Sequence, residues 1–353
     1  MSARLLSIGT AVPDQSMAQR DVAEMVSRLA QMPASRSRAL AHLFEHAGVQ
    51  RRAMAILQGD RLGLYEGPGV PPVDARMEAF HRLAPPLALQ ACRRALERAG
   101  VAPGRITHLV TASCTGAGSP GVDVALIRGL GLGTGTQRIH VGFMGCHAAL
   151  NALRAARALA LAEAGSCVLV CCVELCSLHV QALQPRGSAV ADALFADGAA
   201  ACVVAQSDGD APALARSASV LLPDSLGDMG WAITPMGFAM TLSPRVPEVL
   251  AGHVRPWLVG VLAESGLALE RVGAWAIHPG GPRVLDAVGQ ALGLQVQALQ
   301  ASSEVLRTHG NMSSATVLFI VQRLLEGSAG LPMLALAFGP GLTGEALLLG
   351  YEP

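Results

Sequence analysis

Three polar segments in an otherwise apolar chain carry residue types suited to acyl transfer. Cys146 follows Gly145 where a helix-like run begins, His278 precedes Pro-Gly-Gly, and Asn311 follows Gly310. A thiolate is a nucleophile for thioesters, an imidazole can pair with it or donate to an oxyanion, and a carboxamide is a neutral donor. Strand ends that meet would bring the three together, so the sequence predicts one acyl-transfer centre.

Each of these residues also has a simpler structural interpretation. A free cysteine is most often a small buried hydrophobe, His278 could be a hydrogen-bonded turn residue, and Asn311 could cap a helix. The helix-opening position of Cys146 predicts a lowered thiol pKa, because the N-terminal end of a helix favours negative charge. From these residues alone, both interpretations stay open.

The composition predicts a large apolar core and excludes several classes of partner. Of the 353 residues, 51% are hydrophobic and 15% are charged, and the formal net charge is zero. A neutral chain with 3% aromatic residues has no electrostatic or stacking signature of a nucleic-acid binder. No apolar run reaches the roughly 18 residues of a membrane-spanning helix, so neither nucleic acid nor a membrane is expected as a partner.

The cysteines indicate a reducing compartment. Most lie in apolar, strand-like runs without the spacing of a disulfide framework, and the N-terminus reads as a first strand rather than a secretory leader. These features predict a cytoplasmic protein. Cys171 and Cys172 would face opposite sides of a strand, and no paired Cys-x-x-Cys spacing is present, so no zinc site is expected there or with Cys176 and His179.

Strand-like runs alternate with amphipathic helices, the pattern of an α/β fold. The clearest unit is a strand over 138–143, a turn at Gly145 and Cys146, a helix over 147–164 and a strand over 167–173. A second series follows, with a strand over 272–277, helices over 282–292 and 315–326, and a strand over 331–338. The Ser, Asp, Gly and Pro residues near 207–213 predict a boundary between an N-terminal half, 1–210, and a C-terminal half, 211–353.

The motifs together resemble the type III polyketide synthases, the chalcone-synthase-like condensing enzymes, and in particular their bacterial branch. Cys146, His278 and Asn311 match the family's catalytic triad in order and spacing. The segment Leu194–Ala200 matches a gatekeeper segment whose phenylalanine is Phe195, and Phe338–Thr343 matches the family's C-terminal glycine/proline loop. The resemblance covers nearly the whole chain.

The resemblance implies a thiolase-like αβαβα layered fold of two pseudo-symmetric halves, assembled as a homodimer. It implies no bound cofactor and no metal. The substrates would be an acyl-CoA starter, loaded on Cys146, and malonyl-CoA, which extends it by decarboxylative Claisen condensation. Cyclisation would then give a pyrone, resorcinol, phloroglucinol or naphthalene-type product.

The resemblance also predicts which residues shape the cavity, and some depart from the plant pattern. Met240 stands where a second gatekeeper phenylalanine is usual, which admits a bulkier chain or simply fills a gap. Trp231 replaces a small residue, and Cys114 either tunes reactivity or lines the pocket. The other predicted cavity residues are Cys176, His179, Ser313, Phe338 and Gly339.

The entrance lacks the basic residues that plant enzymes use for CoA phosphates. The corresponding positions fall on Ala39, His42 and His46. Arg38 and Arg283 are the candidate replacements, and each could instead be a solvated helix charge. An acyl carrier protein as starter donor therefore stays open.

Two alternatives remain. A ketoacyl synthase III-like enzyme would perform a single condensation with the same residue types, but it usually carries His before Gln-Ala-Asn rather than before Pro-Gly-Gly. A catalytically idle partner subunit would not need Cys146, His278 and Asn311 all intact.

Overall fold

The computed structural model describes residues 2–57, 64–65, 70–183 and 188–352. The Arg-rich, irregular sequence of 33–72 predicts a helix and a surface loop, and part of this segment lies outside the described residues. The helices are α1 (Gln19–Leu29), α2 (Ala34–Glu45), α3 (Val73–Ala99), α4 (Val122–Leu130), α5 (Ala148–Ala162), α6 (Ala189–Leu194), α7 (Val246–Ala263), α8 (Pro282–Leu292), α9 (Gln300–His309) and α10 (Thr316–Glu326).

The strands alternate with these helices along the chain. They are β1 (Ser2–Ala11), β2 (Ser16–Ala18), β3 (Arg51–Ala53), β4 (His108–Ser113), β5 (Gln137–Gly142), β6 (Cys167–Leu175), β7 (Asp197–Ser207), β8 (Leu214–Leu221), β9 (Met229–Thr234), β10 (Gly237–Leu242), β11 (Ala274–Ile277), β12 (Met333–Gly339) and β13 (Thr343–Leu349).

Two mixed sheets form the frame. The first has the order β1-β7-β6-β4-β5, and the second has the order β11-β12-β13-β8. β6 is an unbroken apolar run except for one glutamate and is buried along its whole length, as expected for a strand covered on both faces. β5 is the edge of the first sheet.

Three layers of helices cover the sheets, so the layer sequence is αβαβα. Apolar residues of α5 and α10 pack between the two sheets in one core. α3 and α4 cover the outer face of the first sheet, and α7 and α8 cover the outer face of the second. The predicted thiolase-like fold class is confirmed.

The two inner helices begin in the same way. A 3-10 turn, Gly145–His147, precedes α5, and a second 3-10 turn, Ser313–Ala315, precedes α10. The two turns contact each other. Each half of the chain therefore delivers the start of one buried helix to the same place, and the predicted catalytic residues lie there.

The first sheet ends in sequence at Ser207, and the second begins at Leu214. These bounds are compatible with a division at 210/211, which stays a prediction. Among the described residues, no helix is both long and apolar enough to cross a bilayer.

Candidate active site

Cys146 is held at a sharp turn that only glycine permits. The preceding Gly145 has φ +78°, and a Cβ there would lie 2.4 Å from Cδ of Pro340. The Gly145 amide donates to Sγ of Cys114 over 3.0 Å, which fixes the turn from behind. The thiol of Cys146 is thereby presented at the entry to α5, and the residue is 7% exposed.

The loop after β12 packs against this turn. A Cβ on Gly339 would lie 2.5 Å from Cδ2 of His147 and 2.9 Å from the carbonyl oxygen of Met144. The C-terminal half can approach the cysteine turn this closely because position 339 has no side chain. Gly339 therefore supports the turn that carries Cys146.

His278 follows β11 at the end of the second sheet. Its amide donates to the carbonyl of Leu336 over 2.8 Å, and its own carbonyl accepts from Gly280 over 3.1 Å. The backbone on both sides of the residue is thus fixed. Both ring nitrogens are buried and make no hydrogen bond with a described residue. The imidazole is therefore free to bind an incoming group.

Asn311 is joined by its backbone to the segment that carries Phe195. Its amide donates to the carbonyl of Leu194, and its carbonyl accepts from the amide of Ala196, both over 2.8 Å. Its side-chain Oδ1 accepts from the amide of Ser313 over 2.9 Å. Asn311 thus stabilises the turn before α10 with its side-chain oxygen and keeps its NH₂ group for another acceptor. The residue can therefore cap the helix and act as a neutral hydrogen-bond donor at the same time.

The thiol, the imidazole and the carboxamide line one cavity of about 290 Å³. Sγ of Cys146 lies 4.0 Å from Oδ1 of Asn311. Three strand or helix ends from both halves of the chain therefore converge on one chamber. Four other predicted residues also line it: Phe195, Met240, Phe338 and Arg283.

A second cavity of about 30 Å³ lies on the other side of Phe195. Phe195 is in the walls of both cavities, and its ring centroid is 6.0 Å from that of Trp231. Cys176, His179 and Trp231 line this smaller space. The predicted cavity residues therefore divide between two chambers that share Phe195.

Four predicted residues lie outside the linings of these two cavities. Cys114 packs its Sγ against the backbone of Gly145, Ser313 lies buried beside the Cys146 thiol, and Gly339 supports the cysteine turn. Arg38 is exposed on α2. Arg38 does not line the large cavity, whose lining residues in that part of the chain are Leu43, His46 and Ala47. A role for Arg38 at the CoA entrance stays a prediction.

The pKa of the Cys146 thiol differs from the expectation, and the pKa of His278 is shifted as well. Burial raises the pKa of the Cys146 thiol to about 12 and lowers the pKa of His278 to about 3. The predicted lowering by the helix end is wrong, because loss of water around the thiol outweighs it. Each shift opposes one isolated charge. A proton transferred from Sγ to the ring would create two opposite charges in the same cavity, which costs less than either charge alone.

Glu174 is a buried carboxyl near the thiol that the sequence analysis missed. It is 0% exposed in β6 and accepts from the amide of Cys114 at 3.0 Å, the hydroxyl of Thr115 at 2.7 Å and the hydroxyl of Ser314 at 2.5 Å. Burial raises its pKa to about 7, and its charge raises the pKa of Cys146. The available signal was a lone acid in an unbroken apolar strand.

Arg52 is the second missed residue. It is buried, and its Nη1 donates to the carbonyl oxygen of Phe195. Burial lowers the pKa of its guanidinium to about 10, against the attraction of Asp192 and Asp197. Arg52 therefore holds the backbone of the residue that separates the two cavities.

His147 does not line the large cavity. Its Nδ1 is 2.6 Å from Oδ1 of Asn151, whose amide donates to Glu345 over 2.8 Å. Cys171 and Cys172 belong to hydrophobic cores on opposite faces of the first sheet. None of the four residues considered for zinc forms a metal-binding group among the described residues.

A five-layered αβαβα fold with a buried cysteine, histidine and asparagine in one chamber defines the class of thiolase-like condensing enzymes. The family model of the N-terminal domain of chalcone and stilbene synthases matches residues 1–208. The model of their C-terminal domain matches residues 213–351. The chain belongs to this family, the type III polyketide synthases, which are condensing enzymes of the acyltransferase type.

Relatives and solved structures agree with this assignment. The chain is 31% identical to the alpha-pyrone synthesis polyketide synthase-like Pks18 of Mycobacterium tuberculosis, over 97% of this chain and 89% of that protein. It is 32% identical to the 1,3,6,8-tetrahydroxynaphthalene synthase of Streptomyces peucetius, over 98% of this chain and 92% of that protein. The crystal structure of PKS-I from the brown alga Ectocarpus siliculosus superposes with a TM-score of 0.91 and 28% sequence identity. The superposition covers 99% of this chain and 98% of that chain. These matches favour the polyketide synthase over the ketoacyl synthase III-like alternative.

Replacing Glu174 tests how its charge acts on the thiol. Glu174→Gln removes a negative charge that raises the pKa of Cys146, so the variant should hold more thiolate at a given pH. The carboxyl ionises as pH rises through about 7. We therefore expect the ratio of variant to wild-type alkylation rates at Cys146 to rise across this range, by up to about tenfold for one pKa unit.

The measurement is the rate of iodoacetamide labelling of the Cys146 peptide by mass spectrometry. Glu345→Gln is the matched control, since it neutralises another buried carboxyl that does not act on the thiol. A ratio for Glu174→Gln that stays flat across neutral pH in a folded protein would contradict the assignment.

Proposed function

We propose that Cys146 accepts an acyl starter from CoA and that malonyl-CoA extends it by decarboxylative Claisen condensation, followed by cyclisation. The observation that supports this most directly is the shared cavity of about 290 Å³ lined by Cys146, His278 and Asn311. It provides a nucleophile, a base and a neutral donor around one volume that excludes most water. Acyl transfer through a thioester needs these groups.

In the loading step, the neutral imidazole of His278 takes the proton of the Cys146 thiol as Sγ attacks the thioester carbonyl. The carbon–sulfur bond to CoA then breaks, and the CoA sulfur leaves with that proton. Burial opposes either charge alone, and the paired transfer avoids an isolated one. The acyl group remains on Sγ, and His278 is neutral again.

In the extension step, malonyl-CoA loses its carboxylate as CO₂, and the bonding electrons become an enolate. His278 and the Asn311 NH₂ donate to the enolate oxygen, which keeps the negative charge stable in apolar surroundings. The ring of Phe195 offers the malonyl carboxylate no partner, which favours its loss. The enolate carbon attacks the acyl carbonyl, the carbon–sulfur bond breaks and Sγ leaves as a thiolate that takes up a proton. The chain is then longer by two carbons and is carried on CoA.

The edge strand β5 supports the proposal of a homodimer. Ile139, Phe143 and Met144 are 41%, 49% and 38% exposed, although they lie on or just after an apolar strand end beside Cys146. An open sheet edge with exposed apolar side chains favours pairing with another chain. We propose that a second copy covers this edge.

The entrance and the compartment remain proposals of the same kind. Arg283 is exposed and lines the cavity, so we propose that it contacts the phosphates of a CoA carrier. An acyl carrier protein is the alternative starter donor. All eight cysteines are free thiols, which is compatible with the reducing cytoplasm we propose.

A product assay tests the function. Incubation with malonyl-CoA and a panel of acyl-CoA starters should yield pyrone, resorcinol, phloroglucinol or naphthalene-type products with two or more added malonyl units. Mass spectrometry measures the added units and the cyclised mass. A single β-ketoacyl product would instead favour one condensation.

Replacing the nucleophile separates loading from the other steps. Cys146→Ala should abolish attachment of a radiolabelled starter, because Cys146 is the only cysteine among the described residues that line the large cavity. The attached label is counted after precipitation of the protein. Cys92→Ala, which removes a buried thiol of α3, is the control and should load normally. Label retained on Cys146→Ala would refute the nucleophile.

Replacing the enolate donors affects decarboxylation. His278→Ala and Asn311→Ala should each lower CO₂ release from malonyl-CoA by about 10²–10³-fold, the range typical of one lost oxyanion donor. Release of ¹⁴CO₂ without a starter measures this step alone. Cys146→Ala is the control, because decarboxylation needs no nucleophile. Unchanged release in either donor variant would remove that residue from the oxyanion role.

A further inference from the structure

Three side chains at the C-terminal end of α2, the third from the residue that follows the helix, form a cluster with metal-ligand chemistry. His42, Glu45 and His46 each offer one ligand atom, and these atoms lie within 4.8 Å of one another. Their spacing places them on one helix face, and the two imidazole centroids are 4.2 Å apart. Two imidazoles and a carboxylate are a ligand set that suits zinc.

The hydrogen bond of His46 leaves its Nε2 free to bind a metal ion. Its Nδ1 lies 2.8 Å from the carbonyl oxygen of His42. Since a carbonyl can only accept, Nδ1 carries the proton and Nε2 keeps its lone pair. In metal-binding histidines, the ring nitrogen that does not bind the metal usually donates its N–H to a carboxylate, a backbone carbonyl or water. This hydrogen bond fixes the tautomer and the orientation of the ring.

The local charges favour a cation. The cluster lies at the C-terminal end of α2, where the last backbone carbonyls give the helix negative partial charge, and Glu45 adds a full one. Arg38, one turn earlier on the same helix, opposes this. All three ligands are exposed, so their side chains can turn toward a shared ion with little loss of packing.

We propose that His42, Glu45 and His46 bind a divalent zinc-like ion at the mouth of the catalytic cavity. His46 lines that cavity, as does Arg283. The bound ion would add positive charge at an entrance where Arg283 is the only arginine or lysine among the described lining residues. Its open coordination positions would accept phosphate oxygens of a CoA thioester, a consequence that rests on the proposed function.

Titration with Zn²⁺ alone tests the site. Chelator-treated protein without an affinity tag should bind one Zn²⁺ per chain in isothermal titration calorimetry. His42→Ala and His46→Ala should each weaken binding by more than about tenfold, since each removes a direct ligand. His81→Ala, which removes an exposed histidine of α3, is the matched control and should bind like wild type. Circular dichroism checks that every variant is folded.

Absence of wild-type binding at millimolar Zn²⁺, or equal binding by the His42→Ala/His46→Ala double variant, would overturn the site. A second titration uses acetyl-CoA with Cys146→Ala protein, so that starter loading cannot release the zinc-binding thiol of CoA. Zinc should tighten the binding of acetyl-CoA to Cys146→Ala and leave its binding to the Cys146→Ala/His42→Ala double variant unchanged. Stoichiometric Zn²⁺ binding without an effect on acetyl-CoA would overturn the phosphate role. Neither titration requires synthase activity, so failure of the product assay is read separately.

Discussion

The cavity depends on burying a thiol and an imidazole together where neither can ionise alone. Loss of water raises the pKa of Cys146 and lowers the pKa of His278, so the resting pair is uncharged. The same environment makes a hydrogen-bond donor effective against a developing enolate, because little water competes for it. Low polarity therefore both restrains the nucleophile at rest and strengthens the groups that act on the substrate. Glu174 adds a further restraint, since its charge acts on the same thiol.

This environment exists because two halves of one chain meet tightly. α5 and α10 both begin at the junction, and the backbone of Asn311 pairs with residues on either side of Phe195. Gly145 and Gly339 permit the approach, since a side chain at either position would overlap its neighbours. The proposed catalytic groups are thus placed by backbone contacts in the fold's interior, where packing allows little adjustment.

Local patterns were sufficient to predict much of this arrangement. Gly145 followed by a cysteine and an alanine-rich run predicts a turn and a helix, and α8 has the predicted bounds 282–292. The family motifs predicted a triad whose three side chains line one cavity. What the patterns could not supply was contact between distant segments. Glu174, Arg52 and the packing of Cys114 against Gly145 depend on which strands become neighbours, and the pKa of Cys146 depends on how much of the chain covers it.

The wall between the two cavities is made of side chains on a backbone that hydrogen bonds hold in place. Arg52 and Asn311 hydrogen-bond to the main chain around Phe195, so a shift of this backbone between the cavities of about 290 Å³ and about 30 Å³ would break those bonds. A change of side-chain rotamer at Phe195, Trp231 or Met240 would alter the space without breaking them. Met240 is unbranched and flexible, and it pairs with Trp231 across β9 and β10. The departures from the plant pattern therefore fall on the side chains that can still adjust, beside a backbone that cannot.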